Sequence, residues 1–155
     1  MLVVSFLVRL LLKYWLPVVA WMILLFVASG DLMSAEHTSR FIGPFLRWLV
    51  PDVSAATVAS FQLVVRKCAH LTCYAILAAL LYRAFRQDQK RSARAGVLAL
   101  IGAAIYASLD EFHQSFVPSR TGSPWDVAID CAGALAGLLL YWLLRNRKSN
   151  PPQAD

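Results

Sequence analysis

Apolar residues fall into four long blocks, with the charged residues gathered between them. The first block runs from Leu10 to Ala28, with Lys13 near its start, and the second from about Cys68 to Ala84. The third runs from Ala95 to Leu109 and the fourth from Val127 to Leu144. Each holds roughly 15 to 19 residues, slightly under the ~20 that cross a bilayer as a helix. Flanking basic side chains that snorkel to the interface make up the difference. No block alternates apolar and polar positions as a membrane β-strand does. The pattern predicts an all-α polytopic membrane protein, a bundle of about four transmembrane helices. A cleavable signal peptide is the alternative for the first block, because Arg9 and Lys13 precede an apolar core that ends in Ala28-Ser29-Gly30. Three further blocks make a retained helix the simpler reading.

The segment from Ser29 to about Gln62 is too long and too apolar for a plain linker. Within it the run FIGPFLRWLVP, residues 41–51, is bounded by Pro44 and Pro51 and carries Arg47 and Trp48. It is expected to lie flat in the membrane interface or to dip into the bundle as a re-entrant segment. Asp52 or Ser54 then caps a helix leading into the second block. Residues 1–148 read as one transmembrane domain, and the tail SNPPQAD, residues 149–155, as disordered. His37 lies in a polar stretch and reads as solvated.

Charge then orients the bundle. Arg83, Arg86, Lys90, Arg91 and Arg94 lie between blocks two and three, opposed only by Asp88. With Arg9 and Lys13 before block one, and Arg145, Arg147 and Lys148 after block four, these segments hold ten of the fifteen basic residues. Four crossings put all of them on one side, and the positive-inside rule makes that side cytoplasmic. Seven of the nine acidic residues fall on the other side. The expected location is a bacterial cytoplasmic (inner) membrane, with both termini cytoplasmic. A net charge of +6 invites a nucleic-acid reading, but the basic residues are dispersed along helix ends rather than gathered on one soluble face. Cys68, Cys73 and Cys131 all lie in apolar blocks without zinc spacing, and read as small buried hydrophobes.

Polar residues recur at the outer ends of the blocks. Block two opens with Arg66 and Lys67, cations placed against both the positive-inside trend and the helix dipole. Lys67, His70 and Tyr74 share one helix face. At the end of block three, Asp110, His113 and Gln114 share a face with Tyr106, whereas Glu111 points elsewhere. Pro118, Gly122 and Pro124 impose a turn around Arg120. Block four begins near Asp126, and Asp126, Asp130, Gly133 and Gly137 form one stripe. The two glycines admit a close helix neighbour. Asp130, about one turn inside the membrane, is costly unless it faces Lys67, Arg120 or His70.

The topology brings these groups to one level. They form either a salt-bridge network that closes the bundle or a site for an anionic head group. A metal site on Asp110, Glu111, His113 and His70 matches no strong ligand spacing, so neither metal nor cofactor is assigned.

At these residues the chain resembles the VanZ-like family of small bacterial membrane proteins, named for an accessory factor in glycopeptide-resistance clusters. The likeness rests on RKCAHLTCYAILAALL, residues 66–81, and on DEFHQSFVPSRTGSPWDVAIDCAG, residues 110–133. The resemblance implies polar positions at Lys67, His70, Tyr74, Asp110, Glu111, His113, Gln114, Arg120, Asp126 and Asp130. Cys73 stands where the family often has Glu, which removes one carboxylate, and Ser119 stands where it usually has Gly. The founding relative is associated with low-level resistance to teicoplanin, a lipid-bearing glycopeptide.

The expected function is an outer-leaflet polar site that engages an anionic or lipid-linked cell-envelope molecule. Lys67 and Arg120 would hold phosphate or carboxylate. Asp110, Asp126 and Asp130 would position those cations, and His70 and His113 would exchange protons. One rival is an enzyme acting on a lipid head group, with His113 or His70 as base or nucleophile, Asp110 or Glu111 orienting it and Arg120 stabilising developing charge. Another is a small transporter or flippase, in which a homo-oligomer along the Gly133 stripe would supply the pathway. A third is a structural assembly partner for envelope machinery.

Overall fold

A computed structural model describes residues 2–30, 35–86 and 92–149. Among them the chain is built from helices α1 (Leu2–Leu10), α2 (Leu16–Ser29), α3 (Ala35–Leu49), α4 (Ala55–Phe85), α5 (Ser92–Gln114) and α6 (Pro124–Ser149). A π-helical segment, Leu11–Trp15, joins α1 to α2 as one rod. Four stretches are long and apolar enough to cross a membrane: Val8–Ser29, Ala55–Phe85, Ser92–Gln114 and Pro124–Arg145. The expected four-span, all-helical architecture is what the chain adopts. Residues 150–155 of the tail, and Asp88, Lys90 and Arg91 of the basic loop, lie outside the described residues.

The π-helical segment sits just before Pro17, which has no N–H to give to the carbonyl one turn earlier. That carbonyl, on Lys13, accepts from Arg83 Nη2 at 2.7 Å. The contact ties the start of the first span to the end of α4, beside the edge-on packing of Trp15 and Phe85. Arg83 and Lys13 therefore share one end of the bundle.

The segment between the first two apolar blocks, expected to be more than a plain linker, is largely helical among the described residues. Ser54 caps α4, its hydroxyl accepting from Thr57 N at 3.1 Å. α4 thus begins well before its apolar block, because Thr57, Ser60 and Gln62 dilute the hydropathy of its first turns. Its 31 residues span about 45 Å, longer than the ~30 Å hydrocarbon layer. Arg66 and Lys67 lie three turns inside this helix, so the dipole at its N-terminus does not bear on them. The 41–51 segment lies mostly within α3, which packs on α4 and on no other helix among the described residues. Its Phe41, Phe45 and Trp48 form a stripe of exposed aromatic side chains.

α4 is the hub, packing against α2, α3, α5 and α6. α4 and α6 run parallel, as spans two and four must. Their approach is set by glycine: a Cβ at Gly133 would lie 2.8 Å from Leu71 Cα, and one at Gly137 2.6 Å from Ala75 Cα. The glycine stripe is thus filled by the chain's own α4. A second copy docking along it, as the transporter reading would have it, finds no open surface there. α5 turns a seam of Ala95, Ala99, Ala103 and Ala107 inward, one small residue per turn. Cys73 and Cys131 are half-buried, whereas Cys68 is exposed on α4 rather than packed in the core. Trp21 Nε1 donates to Cys73 O at 3.0 Å, and the Tyr106 hydroxyl donates to Met22 O, fixing the first span against α4 and α5.

Candidate functional site

At the end of the bundle opposite Lys13 and Arg83, polar side chains from α4, α5 and α6 meet. Lys67 ion-pairs with Asp126 Oδ1, and Arg66 Nη2 lies 3.9 Å from Asp126 Oδ2. One turn deeper, His70 Nδ1 is 3.0 Å from Asp130 Oδ1, and Asp130 is fully buried. Both contacts follow from the parallel α4–α6 pair, in which positions one turn apart on α4 face positions one turn apart on α6. The expectation that Asp130 needs a partner among Lys67, Arg120 and His70 is met by His70.

The α5–α6 turn supplies the third wall. Gly122 folds back onto the end of α5, where a Cβ would lie 3.3 Å from Ser115 Cβ and would overlap the Glu111 carbonyl. That close approach delivers Ser123 N–H to Glu111 Oε2 at 2.8 Å. Ser123 then starts α6, its hydroxyl accepting from Trp125 N at 3.2 Å, with Pro124 in the first turn. Asp126 in that same turn sits where the helix dipole favours a carboxylate.

Glu111 therefore does not point away from the site. It is buried, and its carboxylate, a His70 ring nitrogen and an Asp126 oxygen all lie within 4.8 Å of one another. A helical wheel separates Glu111 from Asp110 by angle alone and takes no account of α6 folding over it. Asp110 is also buried and accepts from Gln114 Nε2 at 3.0 Å. Tyr74, buried on α4, has its ring 6.5 Å from that of Tyr106.

Two expected members stand apart. His113 stacks on Phe26 of the first span, centroids 4.4 Å apart. Arg120 reaches over the end of α2, donating from Nη2 to Ala28 O at 2.7 Å and from Nε to Gly30 O at 3.3 Å. It serves as a side-chain cap for carbonyls that a helix end leaves without partners. Arg66, by contrast, joins the site although it is off the face shared by Lys67, His70 and Tyr74. Its signal in the sequence is its place as the first of two adjacent cations in an unfavourable position.

The electrostatics of the cluster are lopsided. Asp110, Glu111, Asp126 and Asp130 are all buried, and the full cations paired with them among the described residues are Lys67 and Arg66. Among the buried atoms of the cluster without a hydrogen-bond partner, the acceptors Asp110 Oδ1, Glu111 Oε1, Gln114 Oε1 and Asp130 Oδ2 outnumber the donors, the Tyr74 hydroxyl and Arg66 Nε. An apolar bundle that buries acceptors in excess of donors has room for something electropositive.

Residues 14–145 match the family pattern described as VanZ/LLP1. No curated protein and no solved structure matches the chain. The matched stretch takes in most of the first span, the other three spans and every residue of the cluster. This chain belongs to the VanZ/LLP1 family.

Proposed function

We propose that the acidic end of the bundle lies in the outer leaflet of a bacterial cytoplasmic membrane and engages an anionic or lipid-linked cell-envelope molecule there. Both termini are then cytoplasmic. Through that ligand the protein bears on susceptibility to lipid-bearing glycopeptides such as teicoplanin, as the family resemblance implies.

The observation that carries the reading is the arrangement of two cations on one carboxylate. The Lys67 and Arg66 side chains remain 32% and 25% exposed while both lean on Asp126. A phosphate or carboxylate arriving from the membrane competes with Asp126 for them. Trp125, Phe116 and Trp48 are exposed on the same side of the bundle, as residues of a membrane–water interface are. α3 with its aromatic stripe suits a helix lying in that interface.

The test is the lipid that stays with the protein. Purified wild type is expected to retain an anionic or lipid-linked species, identified by mass spectrometry, that Lys67→Gln loses. Identical profiles that mirror the bulk membrane in both proteins would overturn the reading.

A head-group enzyme is favoured by one contact, the His70–Asp130 pair, which holds the imidazole in a fixed tautomer as a general base requires. Under that reading His70→Asn abolishes turnover of the retained lipid and leaves its retention intact.

A further inference from the structure

We infer that His70, Glu111 and Asp126 form a site for a divalent cation, with Asp130 positioning His70 behind it. These three side chains come from three different spans, 41 and 15 residues apart in sequence, and offer ligand atoms within 4.8 Å of one another. Ligands of an ion at about 2.1 Å lie about 3–4 Å from each other, so small side-chain rotations close the set.

The unpartnered atoms point the same way. Glu111 is 5% exposed, one of its oxygens takes the Ser123 N–H, and the other, Oε1, is buried with no hydrogen-bond partner. Asp130 engages His70 through Nδ1, which leaves Nε2 as the nitrogen for a ligand. A carboxylate behind an imidazole is the usual outer-shell device that fixes a metal-binding histidine. Charge agrees with geometry: Asp110, Glu111, Asp126 and Asp130 are all buried at this end of the bundle, an acidic setting that favours a cation.

The donor set selects the ion class. One imidazole and two carboxylates suit Zn²⁺ or Mn²⁺, and three protein ligands leave coordination positions open. Lys67 and the ion compete for Asp126, so loading the site releases the ammonium group. That last step rests on the ligand reading above, because an open metal position beside a freed lysine suits a phosphate oxygen. The ion site itself does not depend on it.

The experiment is a metal titration of the untagged full chain in lipid nanodiscs. The protein is stripped with chelator, loaded with Zn²⁺ or with Mn²⁺, desalted and assayed for metal per chain. Wild type is expected to hold one ion per chain, and His70→Asn with Glu111→Gln to lose it. Asp130→Asn is expected to weaken binding by about 10–100-fold without removing a ligand. Lys67→Met is expected to tighten binding, which a purely structural lysine would not do. His37→Ala, on α3, leaves binding unchanged.

Folded wild type that keeps neither ion overturns the site, as does a His70→Asn/Glu111→Gln chain that binds like wild type. Should the double variant fail to fold, the wild-type titration and the opposite shifts of Asp130→Asn and Lys67→Met still decide. Retained lipid is measured on the same samples. Lipid retention without metal sinks only this inference, and metal binding without lipid retention sinks only the proposed function.

Discussion

Gly133 lies against the backbone of Leu71 so closely that an added Cβ would sit 2.8 Å from Leu71 Cα. Gly133→Val is therefore expected to force α4 and α6 apart. Overpacking of this kind costs about 1–3 kcal/mol, read as a lower thermal midpoint in detergent. Gly96→Ala is the control, since its Cβ would meet only Tyr82 at 4.0 Å. A Gly133→Val protein that melts with wild type would mean the two helices do not cross there.

The buried pair beneath Lys67 makes a second prediction. His70→Leu leaves the Asp130 carboxylate, 0% exposed, without its imidazole. Breaking such a pair from one side costs about 3–5 kcal/mol. His70→Leu combined with Asp130→Leu should recover most of that loss, because neither polar group remains to be satisfied. Additive losses in the two single variants and the double would show that the two groups do not interact.

Arg120 is expected to behave as a clamp on the first span. Each charge-assisted hydrogen bond to Ala28 and Gly30 is worth about 1.5–3 kcal/mol. Arg120→Ala should loosen the end of α2 and expose Ser29, which is buried in the intact protein. Maleimide labelling of a Ser29→Cys reporter should accelerate when Arg120 is removed. Arg120→Lys should not restore protection, since a single ammonium does not span two carbonyls as a guanidinium fork does. Unchanged labelling would place Arg120 elsewhere.

Sidedness has its own test. In a background with Cys68, Cys73 and Cys131 changed to Ala, Thr121→Cys lies just beyond the end of α5 and Ala93→Cys at its start. An impermeant maleimide added to intact cells is expected to label Thr121→Cys and to spare Ala93→Cys. The reverse pattern would turn the acidic end to the cytoplasm and remove the outer-leaflet ligand from consideration.

Four spans and the level of the polar cluster are legible in the sequence, because both follow from blocks and parity. Ser54 as a cap and His70 as the partner of Asp130 are also within reach of spacing. The length of α4 is not, since Thr57, Ser60 and Gln62 hide a helix whose stability comes from its neighbours rather than from hydropathy. Glu111 is misdirected by a helical wheel because the wheel describes one helix, whereas the Gly122 turn brings α6 over a second face. Arg120 reads as an anion ligand for the same reason. A guanidinium is as well suited to helix-end carbonyls as to phosphate, and only the placement of α2 tells them apart.

Two of the polar contacts between α4 and α6 join residues 59 and 60 positions apart, Lys67 with Asp126 and His70 with Asp130. A ribosome that threads spans into the bilayer one after another releases α4 long before α6 is made. Lys67 and His70 must wait in or near lipid without their carboxylates through the insertion of an entire further helix. Biogenesis of the cluster is consequently completed in one stroke by the last span, and a nascent chain stalled before Asp126 carries two stranded bases that mark it as unfinished.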